Sequence, residues 1–417
     1  MEKNIHSNLH CRLCDSPIDS IVIDLGLSPI ANDLIAIEDA YKGETFFPLT
    51  MYLCKDCLLA QVPTFKKEEE IFTDHYPYFS SFSSSWLLHA KTYVEMMIKR
   101  FNLNKNHKII EIASNDGYLL QYFKEKNYDI LGIEPTRNTA EVAVKKGIPT
   151  RIEFFGKDLA LKMKKEGITA DIMIANNVAA HVPDINDFLS GFPILLKEEG
   201  ILTIEVQHLY ELLKKNQFDT IYHEHFYYWS LHSIKKALET HGLKVFDFES
   251  LTTHGGSMRI FACKKDSRTH KVSSNVNRML QIEKEFGITS DKGYRNISKC
   301  AQKIRVDLLN LLYKLKKEGK RIAAYGAPAK GNTLLNFSSI RKDFIDYTVD
   351  ANPHKQNHLL PGTRIPIFNP DIIKKDKPNY VLILPWNLKD EITDDLSFIR
   401  EWGGRFIIPV PSVEIVL

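Results

Sequence analysis

From about residue 101 onward, apolar runs of strand length alternate with amphipathic helical segments. The segment KIIEIASNDGYLLQYFKEKNYDILGIEP has the pattern of a buried strand, a turn of small residues, a helix and a second strand, and ADIMIANN and GILTIEV add two more apolar strands. Strands that lack polar alternation are buried on both faces, as in a parallel sheet covered by helices. The pattern therefore predicts an α/β domain with a doubly wound sheet.

The same order of elements returns near the C-terminus. RIAAYGAPAKGNTLLNF again places an apolar strand, a turn of small residues and a helix in succession, and IDYTVD, YVLILPW and RFIIPVP supply further strands. Residues 264–321, between the two regions, have mainly helical periodicity. We therefore expect a second doubly wound domain, joined to the first by a helical connector.

The composition excludes several classes of protein. Of the 417 residues, 44% are hydrophobic and 26% charged, proportions that exclude disordered and disulfide-dense chains. Fifty-five basic and fifty-two acidic side chains leave a net charge of +3 without a basic tail, so we expect no nucleic-acid partner. The apolar runs are too short for a membrane span and the start MEKNIHSNLH is polar, so we expect a cytoplasmic protein with no membrane partner.

Four of the six cysteines form two C-x-x-C pairs, Cys11 with Cys14 and Cys54 with Cys57. Four thiolates at this spacing suit a tetrahedral zinc ribbon, although the gap exceeds the usual ~15–20 residues and predicts an inserted hairpin or loop. A pair of disulfides is the alternative, which a reducing compartment disfavours. Because sulfur would fill all four positions, we expect the zinc to be structural.

The predicted fold class is α/β: an N-terminal zinc-binding module plus two doubly wound, Rossmann-like domains. The division follows from where the cysteine pairs end and where the helical connector begins. The predicted domains are a zinc-binding domain at 1–74, a cofactor domain at 75–265, and the connector with the C-terminal domain at 266–417.

The first turn of the middle domain, Ala113 to Gly117, favours a cationic cofactor. Its small residues let the backbone pass close to a ligand at the carboxyl edge of the sheet. The turn lacks GxGxxG, and Glu111 and Asp116 add negative charge where a pyrophosphate would lie. S-adenosylmethionine, a sulfonium, therefore fits better than NAD. The predicted cofactor-binding residues are Glu111, Ala113, Asn115, Gly117, Glu134, Asn176, Asn177 and Tyr78.

Two of these predictions have their own reasons. Glu134 ends the second strand, where a carboxylate can accept hydrogen bonds from both hydroxyls of a ribose. The aromatic stretch HYPYFSSFSSSW precedes the first helix of the middle domain, and we expect it to close over the cofactor, with Tyr76 and Tyr78 as its candidates. The alternative is that these aromatic side chains pack the junction with the zinc module.

The segment FDTIYHEHFYYWS concentrates titratable side chains. In an extended backbone, alternation would place His223 and His225 on one face, with Tyr222 and Glu224 on the other. A two-histidine metal site and a histidine general base are both open, as is a structural cluster. The sequence offers no evident third metal ligand, so acid–base chemistry or substrate contact is the favoured interpretation.

The C-terminal domain begins with a turn suited to phosphate. Its sequence GAPAKGNT is not a P-loop, because GxxxxGK followed by Ser or Thr is absent. It still predicts exposed amides at a helix N-terminus beside a lysine, an arrangement that binds a diphosphate. The predicted substrate-binding residues are Lys330, Gly331, Asn332, Thr333, Asp350, Asn352 and Lys355.

Taken together, these motifs resemble a family of sugar C-methyltransferases that use S-adenosylmethionine and act on nucleotide-linked 4-keto-6-deoxy sugars. The resemblance covers essentially the whole chain and rests on CRLC with CKDC, EIASNDGYLL, FDTIYHEHFYYWS, THGGSMR, GAPAKGNTLLN, VDANPHKQNHLLPGT and LPWNL. It implies His225 as catalytic base, with Tyr76, His181, Tyr222 and Glu224 around the sugar. It also implies a C-terminal domain that helps to bind the nucleotide sugar, and a monomer.

The chemistry explains why a base is needed. A ketone at C-4 acidifies the proton on the neighbouring carbon, and the resulting enolate needs a donor at its oxygen, with Tyr76 and His181 as candidates. We expect methylation at C-3′, with C-5′ as the alternative because the same ketone acidifies both positions. A zinc-ribbon nucleic-acid methyltransferase or binding module is the alternative from another class, and a dehydrogenase or epimerase with NAD is a further one. The balanced charge and the absence of GxGxxG disfavour them.

Overall fold

The computed structural model describes residues 9–65 and 78–417 of the chain. Its helices are α1 (Ser84–Arg100), α2 (Leu120–Glu125), α3 (Arg137–Lys145), α4 (Lys157–Lys165), α5 (Ile185–Leu195), α6 (Leu209–Lys214), α7 (Leu231–Thr240), α8 (Ser274–Phe286), α9 (Ile297–Lys317), α10 (Ala329–Phe337), α11 (Ile372–Asp376) and α12 (Lys389–Asp395). Its strands are β1 (Ser20–Ser28), β2 (Ile35–Ala36), β3 (Phe47–Leu53), β4 (Ala60–Gln61), β5 (Lys108–Ile112), β6 (Asp129–Ile133), β7 (Thr150–Arg151), β8 (Ala170–Asn176), β9 (Leu196–Gln207), β10 (Tyr227–Tyr228), β11 (Leu243–Leu251), β12 (Ser257–Lys264), β13 (Ile322–Tyr325), β14 (Thr348–Val349), β15 (His358–Leu359), β16 (Ile367–Phe368), β17 (Tyr380–Ile383), β18 (Arg405–Ile408) and β19 (Glu414–Val416).

The middle sheet has seven strands in the order β11-β12-β9-β8-β5-β6-β7. Strands β5 to β9 run parallel, and β12 is antiparallel to both of its neighbours. Successive residues of β5, Ile109 and Ile110, lie in different apolar cores, so helices cover both faces. Chain order reverses between β5 and β8, which opens a crevice at their carboxyl ends. The predicted doubly wound sheet is confirmed, with one antiparallel strand added.

The C-terminal sheet repeats this arrangement in six strands, ordered β16-β14-β13-β17-β18-β19. Strand β13 pairs in parallel with β14 on one side and β17 on the other, so a second crevice opens at its carboxyl end. Only β19 in this sheet pairs antiparallel. The helical connector is also confirmed, as α8 and α9. The buried face of α9 consists of residues three or four positions apart: Ile297, Ala301, Ile304, Leu308, Leu312 and Leu315.

Helices beside the middle sheet begin at side-chain caps. Asp184 caps α5 by accepting a hydrogen bond from the amide of Asp187. Ser230 and Ser233 form a reciprocal capping box at the start of α7. These caps fix where the loops before α5 and α7 end, and both loops carry residues of the candidate site.

The N-terminal module is built on an antiparallel pair of strands, β1 and β3, between the two cysteine pairs. This pair is the inserted hairpin that the long cysteine spacing predicts. The module then joins both larger domains: β4 pairs with β10 of the middle domain, and β2 pairs with β15 of the C-terminal domain. The N-terminal module therefore lies between the two larger domains and contacts both.

Two further expectations concern the whole chain. The predicted boundary at residue 74 lies outside the described residues, and the domain division stays a prediction. Across residues 9–65 and 78–417, none of the helices combines the length and the apolar character that a membrane crossing requires.

Candidate active site

A cavity of about 1370 Å³ lies where the crevices of the two large sheets face each other. Its wall takes residues from the turn after β5, from the segment before β10, and from the turns after β13 and β14. Asn32 of the N-terminal module also lines it. All three parts of the chain therefore contribute to one space.

The turn after β5 has the strained backbone that close approach to a ligand requires. Ala113, Asn115 and Gly117 have φ of 56°, 50° and 78°. A Cβ on Gly117 would lie 2.3 Å from Cδ1 of Ile148, so the position requires glycine for space as well as for conformation. Ala113 and Asn115 line the cavity, whereas Gly117 shapes the turn from behind it.

Glu134 lies beside this turn with its carboxylate already hydrogen-bonded by backbone. The amide of Asn115 donates to its Oε2 at 2.9 Å, and the amide of Thr136 donates to its Oε1 at 2.9 Å. Glu134 lines the cavity, and burial raises the pKa of its carboxyl group. Oε1 also accepts from the hydroxyl of Thr136, so the acceptor capacity left for a ribose hydroxyl is on Oε2.

Buried acidic side chains surround the turn. Glu111 is 1% exposed in β5, and burial, reinforced by the charges of Glu134 and Asp116, raises its pKa well above the usual value. Glu111 itself is not among the side chains that line the cavity in the described chain. A bound anion would raise the pKa of these acidic groups further, whereas a bound cation would lower it and stabilise their ionised forms, so the turn favours a cation over a pyrophosphate. The residues thus fit S-adenosylmethionine, whose sulfonium and ammonium groups are positive.

Asn115 also fastens the aromatic stretch across the cofactor side. Its Oδ1 accepts from the amide of Ser80 at 2.9 Å, and its Nδ2 donates to the carbonyl of Tyr78 at 3.1 Å. Tyr78 lines the cavity, together with Asn176 and Asn177 at the end of β8. Tyr76, the other tyrosine predicted here, lies outside the described residues. Its role stays a prediction.

The histidine-rich segment before β10 forms a turn, and the predicted alternation of its faces is wrong. The amide of His225 donates to the carbonyl of Tyr222 at 3.0 Å, which closes the turn and brings their rings to a centroid distance of 4.0 Å. His223 instead faces the N-terminal module, with Nε2 3.2 Å from the carbonyl oxygen of Pro48. Tyr222 and His225 line the cavity.

Hydrogen bonds fix the tautomers of the two histidines at the cavity. Nδ1 of His225 lies 3.2 Å from the carbonyl of Thr220, and Nδ1 of His181 lies 2.8 Å from the carbonyl of Glu224. A carbonyl only accepts, so each Nδ1 carries the hydrogen and each Nε2 carries a lone pair. The hydroxyl of Tyr222 donates to Nε2 of His225 at 2.6 Å. His225 thus presents a basic nitrogen, whereas neutral His181 cannot donate through Nε2.

Burial keeps both imidazoles neutral. It lowers the pKa of His225 well below its usual 6.5, and repulsion from His181, His254 and Lys330 in their charged forms adds to the effect. Burial lowers the pKa of His181 to about 4. Both rings are therefore unprotonated at neutral pH.

Glu224 points away from the cavity, towards the N-terminal module. Its Oε1 accepts from the backbone and side-chain nitrogens of Asn32, at 2.9 and 3.1 Å. Its Oε2 is buried without a hydrogen-bond partner among the described residues, and burial raises the pKa of the carboxyl group. The contact indicates that Glu224 positions the segment, and direct contact with a sugar stays a prediction.

The four N-terminal cysteines converge. Their Sγ atoms all lie within 4.8 Å of one another, with Cys11 to Cys57 at 3.4 Å and Cys14 to Cys54 at 3.5 Å. A disulfide would need about 2.0 Å, whereas tetrahedral Zn–S bonds of about 2.3 Å place sulfurs roughly 3.8 Å apart. The donor set fits zinc, and within the described part of the chain it is the one group of His, Cys, Asp or Glu that could hold a metal. The alternative metal site at His223 and His225 thus receives no support.

The predicted substrate residues of the C-terminal domain divide into two sets. Lys330, Asp350, Asn352 and Lys355 line the cavity. Gly331, Asn332 and Thr333 are buried in α10 behind them. The hydroxyl of Thr333 donates to the carbonyl of Ile221 at 3.0 Å and so ties α10 to the histidine-rich turn.

Two features of the site, His254 and the buried Asp219, have no counterpart among the sequence predictions. His254 lines the cavity in the left-handed conformation, with φ of 53°, and its ring centroid lies 5.1 Å from that of Trp86, with the ring planes inclined by 55°. Asp219 is fully buried under Trp386. His254 belongs to the motif THGGSMR, in which a histidine directly before two glycines is a signal for an unusual backbone turn.

Comparisons with known proteins agree with this architecture. Family models match residues 11–72, described as a putative zinc binding domain, residues 71–247, described as a methyltransferase domain, and residues 252–411, described as a C-methyltransferase C-terminal domain. The C-methyltransferase NovU of Streptomyces niveus is 35% identical over 406 residues, which cover 97% of this chain and 96% of that protein.

Two other similarities are partial. A ubiquinone biosynthesis O-methyltransferase of Pelagibacter ubique is 26% identical over 141 residues, or 32% of this chain and 58% of that protein. The solved structure of a magnesium protoporphyrin IX methyltransferase from Synechocystis with bound S-adenosylmethionine covers 47% of this chain and 88% of that one, at 14% identity and a TM-score of 0.34, too low to support an argument. The similarity to NovU along nearly the full length is decisive. The chain belongs to the family of S-adenosylmethionine-dependent C-methyltransferases with an N-terminal zinc-binding domain that includes NovU.

Proposed function

We propose that the protein methylates the carbon next to the ketone of a nucleotide-linked 4-keto-6-deoxy sugar, at C-3′ in preference to C-5′. One observation carries the proposal: a single cavity joins the cofactor turn of the middle sheet to the lysine-bearing turns of the C-terminal sheet, and His225 is in its wall. A site of this kind can hold two ligands at once, one from each sheet.

The reaction needs a base and a methyl donor held close to one carbon. S-adenosylmethionine, when bound, supplies an electrophilic methyl group. We assign its ribose to Glu134 and its cationic end to the acidic surroundings of Asn115, whose amide contacts Glu134. Reacting atoms held about 3–3.5 Å apart gain most of the rate that proximity offers.

His225 removes the proton in this proposal. Its Nε2 takes the hydrogen from the carbon beside the ketone, the C–H electron pair moves into the enolate, and Nδ1 keeps its hydrogen bond to the carbonyl of Thr220. The sugar must first displace the hydroxyl of Tyr222, which donates to Nε2 at 2.6 Å. The enolate carbon would then take the methyl group as the S–CH3 bond breaks, its electron pair staying on the sulfur of S-adenosylhomocysteine. The ketone re-forms, and His225 returns its proton to solvent.

The nucleotide diphosphate is assigned to the C-terminal side. Nζ of Lys355 lies 4.0 Å from Asp350 and donates to the carbonyl of Ala327 at 2.8 Å. These contacts hold the positive charge of Lys355 near the amides at the start of α10. A diphosphate there would interact with the lysine and with the amides.

The test is incubation with S-adenosylmethionine and a panel of TDP-, CDP- and GDP-linked 4-keto-6-deoxy sugars. We expect a 14-dalton gain by mass spectrometry for one of them, and NMR of the product to place the new methyl group at C-3′. A methyl group at C-5′ would correct the position alone. Failure to methylate any sugar of the panel would overturn the proposal.

A further inference from the structure

Lys330 lies on the first turn of α10 in a prepared environment. Its Nζ donates to Oδ1 of Asn387 at 2.7 Å and lies 4.7 Å from the ring centroid of Trp386. Trp386 and Asn387 both follow strand β17, whereas Lys330 follows the neighbouring strand β13. The loop after β17 thus contacts the side chain of Lys330. An ammonium has three N–H donors, and the bond to Asn387 leaves two for a ligand in the cavity.

The same structure links Lys330 to the histidine-rich turn. The indole nitrogen of Trp386 donates to Oδ2 of Asp219 at 2.6 Å. Asp219 is followed by Thr220, whose carbonyl receives Nδ1 of His225 at 3.2 Å. Lys330 and His225 therefore belong to one connected set of contacts in the wall of the same cavity, and the positive charge of Lys330 contributes to the lowered pKa of His225 and of His254.

A buried counter-charge keeps the lysine protonated. Asp219 is 0% exposed, and its Oδ1 has no hydrogen-bond partner in the described part of the chain. Burial lowers the pKa of Lys330 to about 8, and the negative charge of Asp219 opposes that fall. At neutral pH the side chain is thus an ammonium held at the cavity wall.

The proposed reaction needs a donor that the tautomers of the histidines do not provide. Nε2 of neutral His181 carries a lone pair because Nδ1 donates to Glu224, so it cannot donate to an enolate oxygen. Donors aimed at a developing oxyanion usually make the largest single contribution to such a reaction. A lysine in the same cavity wall as the base, with two free N–H donors, meets this requirement.

We propose that Lys330 is a catalytic residue that donates a hydrogen bond to the C-4 oxygen of the sugar and stabilises the negative charge formed there. This inference rests on the proposed function, and it moves Lys330 from the diphosphate, where the sequence placed it, to the reacting centre. The proton goes from carbon to Nε2 of His225 and the electron pair to the C-4 oxygen. Lys330 keeps its own protons throughout, and its hydrogen bond weakens when the ketone re-forms.

The test compares two cavity lysines, Lys330→Met and Lys355→Met, with the full-length zinc-loaded protein. Three quantities are measured: kcat, exchange of the proton beside the ketone in D2O with S-adenosylhomocysteine in place of the methyl donor, and the Kd of TDP, CDP and GDP by calorimetry. For Lys330→Met we expect kcat and exchange to fall about 10²–10³-fold, with nucleotide Kd within about twofold of wild type. For Lys355→Met we expect a raised Kd and near-normal exchange at saturation.

The opposite pattern decides against the inference. A Lys330→Met variant that binds nucleotide tenfold more weakly yet exchanges normally at saturation would return Lys330 to the diphosphate, and unchanged behaviour in all three measurements would remove it from both roles. If wild type neither exchanges nor methylates any sugar, the proposed function itself fails. If wild type is active and Lys330→Met exchanges the proton as fast as wild type, only the inference about Lys330 fails and the proposed function stands.

A pH profile covers the case in which Lys330→Met does not fold. Asp219 raises the pKa of Lys330, and the charge of Lys330 lowers those of His225 and His254; Asp350, Lys355 and Glu391 line the same cavity. Wild-type kcat should fall as pH rises through about 8, because the ammonium is lost, and Lys330→Arg should keep activity there. An alkaline fall that persists unchanged in Lys330→Arg would overturn the inference.

Discussion

The basicity of His225 results from competing effects on one imidazole. Its Nδ1 donates a hydrogen bond to the carbonyl of Thr220, so the lone pair is on Nε2. The hydroxyl of Tyr222 donates a hydrogen bond to that lone pair. Burial and nearby positive charge both disfavour protonation, so the ring is unprotonated before substrate arrives. A base of this kind is ready at neutral pH but binds its proton weakly, which explains why stabilisation of the enolate oxygen matters.

This environment predicts an unusual acid limb for kcat/KM. A histidine of ordinary pKa would lose half of its activity as a base near pH 6.5, whereas the lowered pKa of His225 keeps Nε2 unprotonated to lower pH. The groups facing it are Tyr222, His181, His254 and Lys330. We therefore expect kcat/KM to stay level from pH 7 down to well below 6.5. An apparent pKa at or above 6.5 in that profile would contradict the assignment.

Helix α7 begins on a buried carboxylate from another element. Glu283 of α8 accepts hydrogen bonds from the amides of Leu231 and His232, at 2.6 and 3.1 Å, and lies 2.7 Å from Nε2 of His208. Nδ1 of His232 adds a fourth contact at 2.6 Å. The connector thus fastens the helix that follows the histidine-rich segment.

Removing that charge should destabilise the fold. Burial alone would raise the pKa of Glu283, but its hydrogen bonds from His208 and His232 lower it to about 2. The pKa is depressed in the folded state, so the stabilisation is complete above about pH 4.5 and is lost as pH falls towards 2. We expect Glu283→Gln to lower the free energy of unfolding by about 2–4 kcal/mol at pH 7, measured by urea denaturation.

Glu285→Gln, an exposed position on the same helix, serves as the matched control and should change the free energy of unfolding by less than about 0.5 kcal/mol. The difference between the two variants should shrink as pH falls below 4.5. Equal stability of the two variants at pH 7 would show that the carboxylate network contributes nothing.

Helices and strands could be predicted from the sequence where a few neighbouring residues determine them. The strand that ends at Ile112 and the cap at Asp184 both follow from a few adjacent residues. The histidine-rich segment was misjudged because alternation assumes an extended backbone, whereas the hydrogen bond from His225 to Tyr222 closes a turn. His223 turns away because its acceptor, the carbonyl of Pro48, lies 175 residues distant in sequence.

The three parts of the molecule are joined by contacts that are too short to leave a sequence pattern. The pairings of β4 with β10 and of β2 with β15 each involve two residues a strand. The contact from Asn32 to Glu224 spans 192 residues. The zinc site was predictable because its cysteines are paired in sequence, but its position against the catalytic turn required the tertiary structure.

Zinc should therefore matter for activity although its ligands lie away from the cavity wall. Loss of the metal would loosen Asn32, and with it Glu224 and the turn that carries His225. We expect Cys54→Ser to lose zinc by metal analysis and to lower kcat more than tenfold, with a smaller change in the Kd of S-adenosylmethionine. Cys300→Ser, outside the zinc site, should retain both zinc and activity. A zinc-free variant with full kcat would contradict this coupling.

The most direct test of the account is proton exchange beside the ketone in D2O, followed by NMR for wild type, His225→Asn and His223→Asn. We predict rapid exchange in wild type, a loss of about 10²–10⁴-fold in His225→Asn with S-adenosylmethionine affinity retained, and a rate within a few-fold of wild type in His223→Asn, whose ring faces the zinc module. Exchange at the wild-type rate in His225→Asn would contradict the central claim that His225 forms the enolate.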